Sequence, residues 1–135
     1  PLSYLQQENR TSYDINLEVQ LKPSGSDQFF TICQNNFQNL YWSTAQQLAH
    51  HTITGCNIRV GDLLASGTIS GPTENSWGSL VEMTLNGKKP LLFPDGTSRT
   101  FLEDGDEVLM KAWCKNSDYQ IGFGELSGLI LPTLI

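Results

Sequence analysis

The run from Tyr13 to Lys22 constrains the fold more than any other part of the chain. Tyr13, Ile15, Leu17, Val19 and Leu21 alternate with Asp14, Asn16, Glu18, Gln20 and Lys22. A period of two sorts side chains onto opposite faces of an extended strand, one buried and one wet. The same residues wound as a helix would scatter around the cylinder and give no apolar stripe. Pro23-Ser24-Gly25-Ser26-Asp27 follows with turn chemistry, and Phe29, Phe30, Ile32 and Cys33 then read as the hairpin partner.

The periodicity changes at Asn35-Asn36, either of which suits a helix cap. Phe37, Leu40, Tyr41, Thr44, Ala45 and Leu48 recur at spacings of three and four, predicting one main helix over about 35–51, stopped by Gly55. Strands resume at Ile58–Val60, Leu63–Ala65, Leu80–Leu85, Leu91–Phe93, Arg99–Leu102, Val108–Trp113 and Tyr119–Phe123. Leu85-Asn86-Gly87-Lys88 carries the Asn-Gly signal of a tight type I′ hairpin. Many short strands and one helix predict an α+β or mainly-β fold, a sandwich or roll.

Composition narrows the function classes. The chain has 135 residues, a formal net charge of −6 and a pI near 4.7. Without a Lys/Arg cluster it has no electrostatic footprint for nucleic acid. No apolar run reaches bilayer-spanning length, and nothing at the start resembles a signal peptide. Cys33, Cys56 and Cys114 are odd in number and lack zinc spacing. They are expected to be buried free thiols, which points to the cytosol. Asn9-Arg10-Thr11 fits a glycosylation sequon, a triplet common by chance.

Several short patterns invite chemistry. Asp104-Gly105-Asp106-Glu107 lacks the later ligands of a calcium loop and reads as a turn. Val60-Gly61-Asp62 echoes it, each Asp bonding local amides ahead of a strand. His50 and His51 fall at the expected helix end with no metal-ligand partner at i+4, and a structural role is expected. Glu82 is more informative. On a strand over Leu80–Leu85 it shares a face with Leu80 and Thr84, against the commoner reading of a solvated carboxylate. A carboxylate among apolar neighbours needs a partner or a task. The run Ala65–Pro72, Ala-Ser-Gly-Thr-Ile-Ser-Gly-Pro, matches neither a phosphate loop nor G-x-S-x-G. It is either a plain turn or a small-residue segment offering amides and the Thr68 hydroxyl to a ligand.

Taken together these residues resemble the C-terminal part of the fumarylacetoacetase family. The resemblance rests on Asn36-Phe37, Tyr41-Trp42, Gln46-Gln47-Leu48, His50-His51, Gly55-Cys56-Asn57, Arg59 and Gly61 to Pro72. It continues through Gly78-Ser79, Glu82, Phe101-Leu102, Asp104 to Val108, Gly122-Phe123-Gly124 and Leu131-Pro132. The Gly-Asp and Gly-Thr-x-Ser-Gly core is common to a wider superfamily; the helix signature is specific. The resemblance implies a mixed β-sandwich roll in a cytoplasmic homodimer. It also implies a hydrolase that splits the carbon–carbon bond of 4-fumarylacetoacetate, using Mg²⁺ or Ca²⁺ as a Lewis acid. Glu82 matches the glutamate that orients a catalytic histidine and its water, and Thr68 the threonine that contacts the substrate carboxylate.

The family's metal ligands, histidine base, and the arginine, glutamine and lysine that stabilise the enolate lie upstream of the matched region. The expectation is therefore a C-terminal piece of the catalytic domain over 13–135, with 1–12 a leader or broken end of an upstream segment. Alone it would hold no metal and would be inactive without the missing upstream part. Val60 stands where the family has proline and Leu129 where it has lysine. The alternatives are another activity on β-diketo acids, such as acylpyruvate hydrolysis or decarboxylation, or a non-catalytic β-domain for binding or dimerisation.

Overall fold

The computed structural model describes residues 1–8 and 12–134; the sequon at Asn9 to Thr11 lies outside them. Among the described residues the architecture is α+β. Strands β1 (Asn16–Lys22), β2 (Phe30–Asn36), β5 (Glu107–Lys115) and β6 (Gln120–Leu129) form an antiparallel sheet in the order β2-β1-β5-β6. Strands β3 (Leu91–Leu92) and β4 (Ser98–Arg99) form a small second pair. The main helix, α1 (Thr44–Thr52), and one short turn of helix, α2 (Leu80–Met83), complete the frame.

The alternation in β1 sorts its apolar residues onto one face, but only Leu21 of the strand is buried. Leu17, Val19 and Leu21 lie opposite Ala112, Met110 and Val108 of β5, and Val19 lies opposite Cys33 of β2. The other face is polar, where Lys22 pairs with Glu107 at 2.7 Å and Lys111 with Glu125 at 2.9 Å. On its β2–β1 side the apolar face is better covered: Leu21 and Cys33 are buried, and Phe93 stacks on Phe30 with centroids 5.0 Å apart. On its β5–β6 side it is open, with Met110 46% and Leu126 67% exposed. Every residue of the edge strand β6 is exposed. The chain exposes 9698 Å², where a compact monomer of its mass exposes about 7,000 Å².

The main helix is shorter and later than its periodicity predicts. Asn35 and Asn36 end β2, and Asn36 caps a 3-10 turn, Phe37–Asn39. The helix itself starts at a capping box: the Ser43 hydroxyl accepts from Gln46 N–H at 3.2 Å and Gln46 Oε1 accepts from Ser43 N–H at 2.9 Å. Gln46 also donates to the Leu5 carbonyl at 2.7 Å, docking the 3-10 turn Ser3–Leu5 against α1.

Three further expectations are corrected. Leu80–Leu85 is not a strand, because Ser79 caps the helix α2 there, its hydroxyl accepting from Glu82 N–H at 3.3 Å. Asn86-Gly87 closes no hairpin; Leu85, Asn86 and Gly87 are three consecutive left-handed residues that terminate α2. The segments at 58–60 and 63–65 are not strands, and Asp62 only closes a local turn by accepting from Arg59 N–H at 2.8 Å. The thiols also differ from expectation: all three cysteines are free, but only Cys33 is buried and Cys56 is exposed.

Asp104-Gly105-Asp106 is a turn, with an anchor the sequence did not reveal. Asp106 is buried and takes a two-pronged ion pair from buried Arg99, Nη2 to Oδ1 at 2.8 Å and Nε to Oδ2 at 2.9 Å. It also accepts from Ser24 N–H at 2.7 Å and Glu103 N–H at 2.9 Å, tying three turns together. Burial alone pushes the Asp106 carboxyl up; the Arg99 hydrogen bonds and the two amides overcome it and hold the group below the usual carboxylate range.

Candidate functional site

The apolar sheet face forms the floor of a cleft of about 490 Å³. Leu17, Val19, Cys33, Met110 and Leu126 line it from the sheet, and Thr68 and Gly78 from the opposite wall. Thr68 is exposed, on a segment without regular structure. That segment is tied to the sheet by one side chain: Asn35 Nδ2 donates to the Ile69 carbonyl at 2.6 Å and to the Ser76 carbonyl at 2.8 Å.

Close packing accounts for part of the small-residue run. A Cβ on Gly71 would lie 2.5 Å from the Ser76 hydroxyl, and one on Gly78 would strike the Ile69 carbonyl and lie 2.7 Å from Thr68 Cγ2. These two glycines are small because protein lies against them, not to admit a ligand.

Glu82 is half-buried and does not line the cleft directly. Its Oε2 accepts from the Ser70 hydroxyl at 2.7 Å and from the Ser79 hydroxyl at 2.8 Å. Ser70 in turn accepts from Gly78 N–H at 3.1 Å. The Ser70 and Ser79 hydrogen bonds hold the Glu82 carboxyl below the ordinary carboxylate range against a weaker opposing effect of burial. Cys33 connects the two places. Its thiol faces the cleft, and burial, then the charge of Glu82, push it up. Thr68 and Glu82 thus sit on one structural unit, joined through Ser70 and Gly78, with Thr68 at the cleft wall and the carboxylate behind it.

A larger cavity, about 540 Å³, runs along α1 and is lined by His50 and His51. Both histidines lie in the last turn of α1 and both are engaged elsewhere. His50 Nδ1 meets Tyr4 Oη at 3.0 Å, and His51 Nε2 lies 3.2 Å from Cys56 Sγ. Neither reaches Glu82 through a hydrogen bond of the structure. Among the described residues no three His, Cys, Asp or Glu side chains gather where they could hold a metal ion. No donor set for a divalent cation is thus present among the described residues.

Ser70, Ser79 and Asn35 are the site residues that the sequence reading passed over. Ser79-Leu80-Val81-Glu82 has the S-x-x-E spacing of a capping box, and that signal would have exposed both the helix and the Ser79–Glu82 contact.

A family model described as fumarylacetoacetate (FAA) hydrolase C-terminal matches residues 8–130. The chain is 56% identical over 133 residues to a fumarylacetoacetase of Arabidopsis thaliana, covering 98% of this chain and 31% of that protein. It is 49% identical over 135 residues to the human fumarylacetoacetase, covering 100% of this chain and 32% of that one. To a rice fumarylacetoacetase it is 49% identical over 134 residues, covering 99% and 31% respectively. The chain thus spans about a third of the length of these relatives.

Proposed function

The chain belongs to the fumarylacetoacetate (FAA) hydrolase C-terminal family, and from that premise we propose that it is a segment of a carbon–carbon hydrolase acting on 4-fumarylacetoacetate. The products are fumarate and acetoacetate, as in the last step of tyrosine and phenylalanine breakdown. The observation that carries this reading is the Glu82 carboxylate, fixed by two hydroxyls on the unit that presents Thr68 to the cleft.

In this account Glu82 accepts a hydrogen bond from a histidine that lies outside this chain, since His50 and His51 are held by Tyr4 and Cys56. The other imidazole nitrogen takes a proton from water as the water oxygen adds to the fumaryl ketone carbon. The carbon–carbon bond then breaks. Its electron pair leaves on the carbon that becomes the acetoacetate methyl group, and that carbon is protonated. Thr68 supplies a hydroxyl donor for a substrate carboxylate at the cleft wall.

The uncovered surface supports a longer protein. An excess of about 2,700 Å² over a compact monomer and a fully exposed β6 are consistent with further polypeptide closing the sheet into a roll. We assign that cover to the remaining length that the relatives possess, in a cytoplasmic homodimer. The Mg²⁺ or Ca²⁺ of the full-length enzyme would be held by residues of that remaining length.

The test is turnover by the full-length enzyme that carries this segment, followed as fumarate release. The account expects Glu82→Gln to lower kcat by about 100-fold or more, and Thr68→Val to raise KM chiefly. Wild-type kcat in Glu82→Gln would remove the catalytic reading.

A further inference from the structure

The way Glu82 is held suggests how its carboxylate is aimed. A glutamate at the third position of a helix commonly reaches back to the backbone amide of the cap residue. Glu82 adds two side-chain hydroxyls from different stretches of chain, both on one oxygen, Oε2, beside smaller contributions from the Gly78 and Ser79 backbone amides. No described side chain hydrogen-bonds to Oε1.

Each hydroxyl is itself directed. A serine has a single O–H to give, and an amide donating to its oxygen turns that proton away from the amide. Gly78 N–H plays this part for Ser70 at 3.1 Å, and Glu82's own N–H for Ser79 at 3.3 Å. Rotation about the last torsion of a glutamate is otherwise soft and nearly two-fold. Two directed donors on Oε2 fix which oxygen faces which way.

Resting on the reading of Glu82 given above, we infer that Ser70 and Ser79 are positioning residues: they saturate Oε2 so that Oε1 receives the histidine N–H. The same donors keep the carboxylate ionised, so that the imidazole and not Glu82 carries the proton taken from water. Losing them has two effects on a pH profile, both of one sign. Glu82 protonates at higher pH, and while still ionised it is a stronger acceptor that raises the histidine. The acid limb of kcat therefore moves up.

The experiment is a set of kcat and KM profiles against pH for the full-length enzyme and its Ser70→Ala, Ser79→Ala, double-alanine, Ser70→Thr and Glu82→Gln variants. The expected result is a fall in kcat of about 10-fold in each alanine variant, from loss of orientation, with KM little changed. The acid limb moves to higher pH, furthest in the double variant, and Ser70→Thr restores both values. If an alanine variant does not fold, Ser70→Cys keeps the size with only a weak donor and is expected to show the same displaced limb. An acid limb and kcat at wild-type values in the Ser70 and Ser79 variants, with Glu82→Gln impaired, would overturn the inference and leave the role of Glu82 standing. Wild-type turnover in Glu82→Gln would remove both.

Discussion

Replacing Asp106 by asparagine isolates the energetics of the buried ion pair. The substitution keeps size and one acceptor oxygen but leaves the buried Arg99 guanidinium without its partner charge. Breaking such a pair from one side costs about 3–5 kcal/mol, because the remaining charge stays desolvated. Glu103 Oε2, 3.4 Å from Arg99 Nε on an exposed side chain, can take up part of that charge. The expectation is therefore the lower end, about 3 kcal/mol. With a urea slope of about 1.5 kcal/mol/M for a domain of this size, the midpoint falls by about 2 M. Urea unfolding at pH 7, followed by tryptophan fluorescence, reads this directly, since Trp113 lies in β5, the strand that begins beside Asp106. The difference must also depend on pH. Asp106 is held below its unfolded value of about 3.9, so its contribution is complete above that value. It is lost as pH falls through the lower folded value. Wild type and Asp106→Asn should converge on acidification. A difference below about 1 kcal/mol at pH 7, or one that does not shrink in acid, would refute the reasoning.

Gly78→Ala forces a methyl group against the Ile69 carbonyl and Thr68; overpacking of this kind costs about 1–3 kcal/mol, measurable as a lowered urea midpoint. In the full-length enzyme the same substitution should raise KM, because Thr68 is displaced from the cleft wall. For the thiols, maleimide labelling of the native 135-residue chain should reach Cys56 first and Cys33 last. Cys33 is buried, and its thiol is kept protonated by that burial and by the Glu82 charge.

The strands were legible where the alternation was long and their faces differed. β1 and its antiparallel partner β2 follow from the period-two run and the Pro23–Asp27 turn, whereas the bulge that shifts their register between Val19 and Gln20 does not. The helix boundary was misread because Phe37, Leu40 and Tyr41 continue the helical spacing while the backbone does not. The cap at Ser43 decides where the helix begins, and capping is a local hydrogen-bond choice that apolar periodicity does not report. The strand expected at Leu80–Leu85 failed for the same reason: an alternating run of six residues also fits one helical turn, and Ser79 tips the balance. The Arg99–Asp106 pair and the Asn35 bridges to Ile69 and Ser76 join segments distant in sequence, and no spacing rule exposes them. Glu82 stood out by its apolar neighbours and Thr68 by its small-residue run, and the resemblance supplied a role for each. Their connection through Ser70 became visible only once the chain was folded.

The central claim is that the Glu82 carboxylate is turned toward a proton acceptor supplied by other polypeptide. Its most direct test is a crystal structure of the full-length enzyme with a substrate analogue bound. The account predicts a histidine ring nitrogen within about 2.6–3.2 Å of Glu82 Oε1, and a carboxylate of the analogue on the Thr68 hydroxyl. Oε1 open to bulk solvent, with no imidazole in reach and the analogue bound elsewhere, would contradict it.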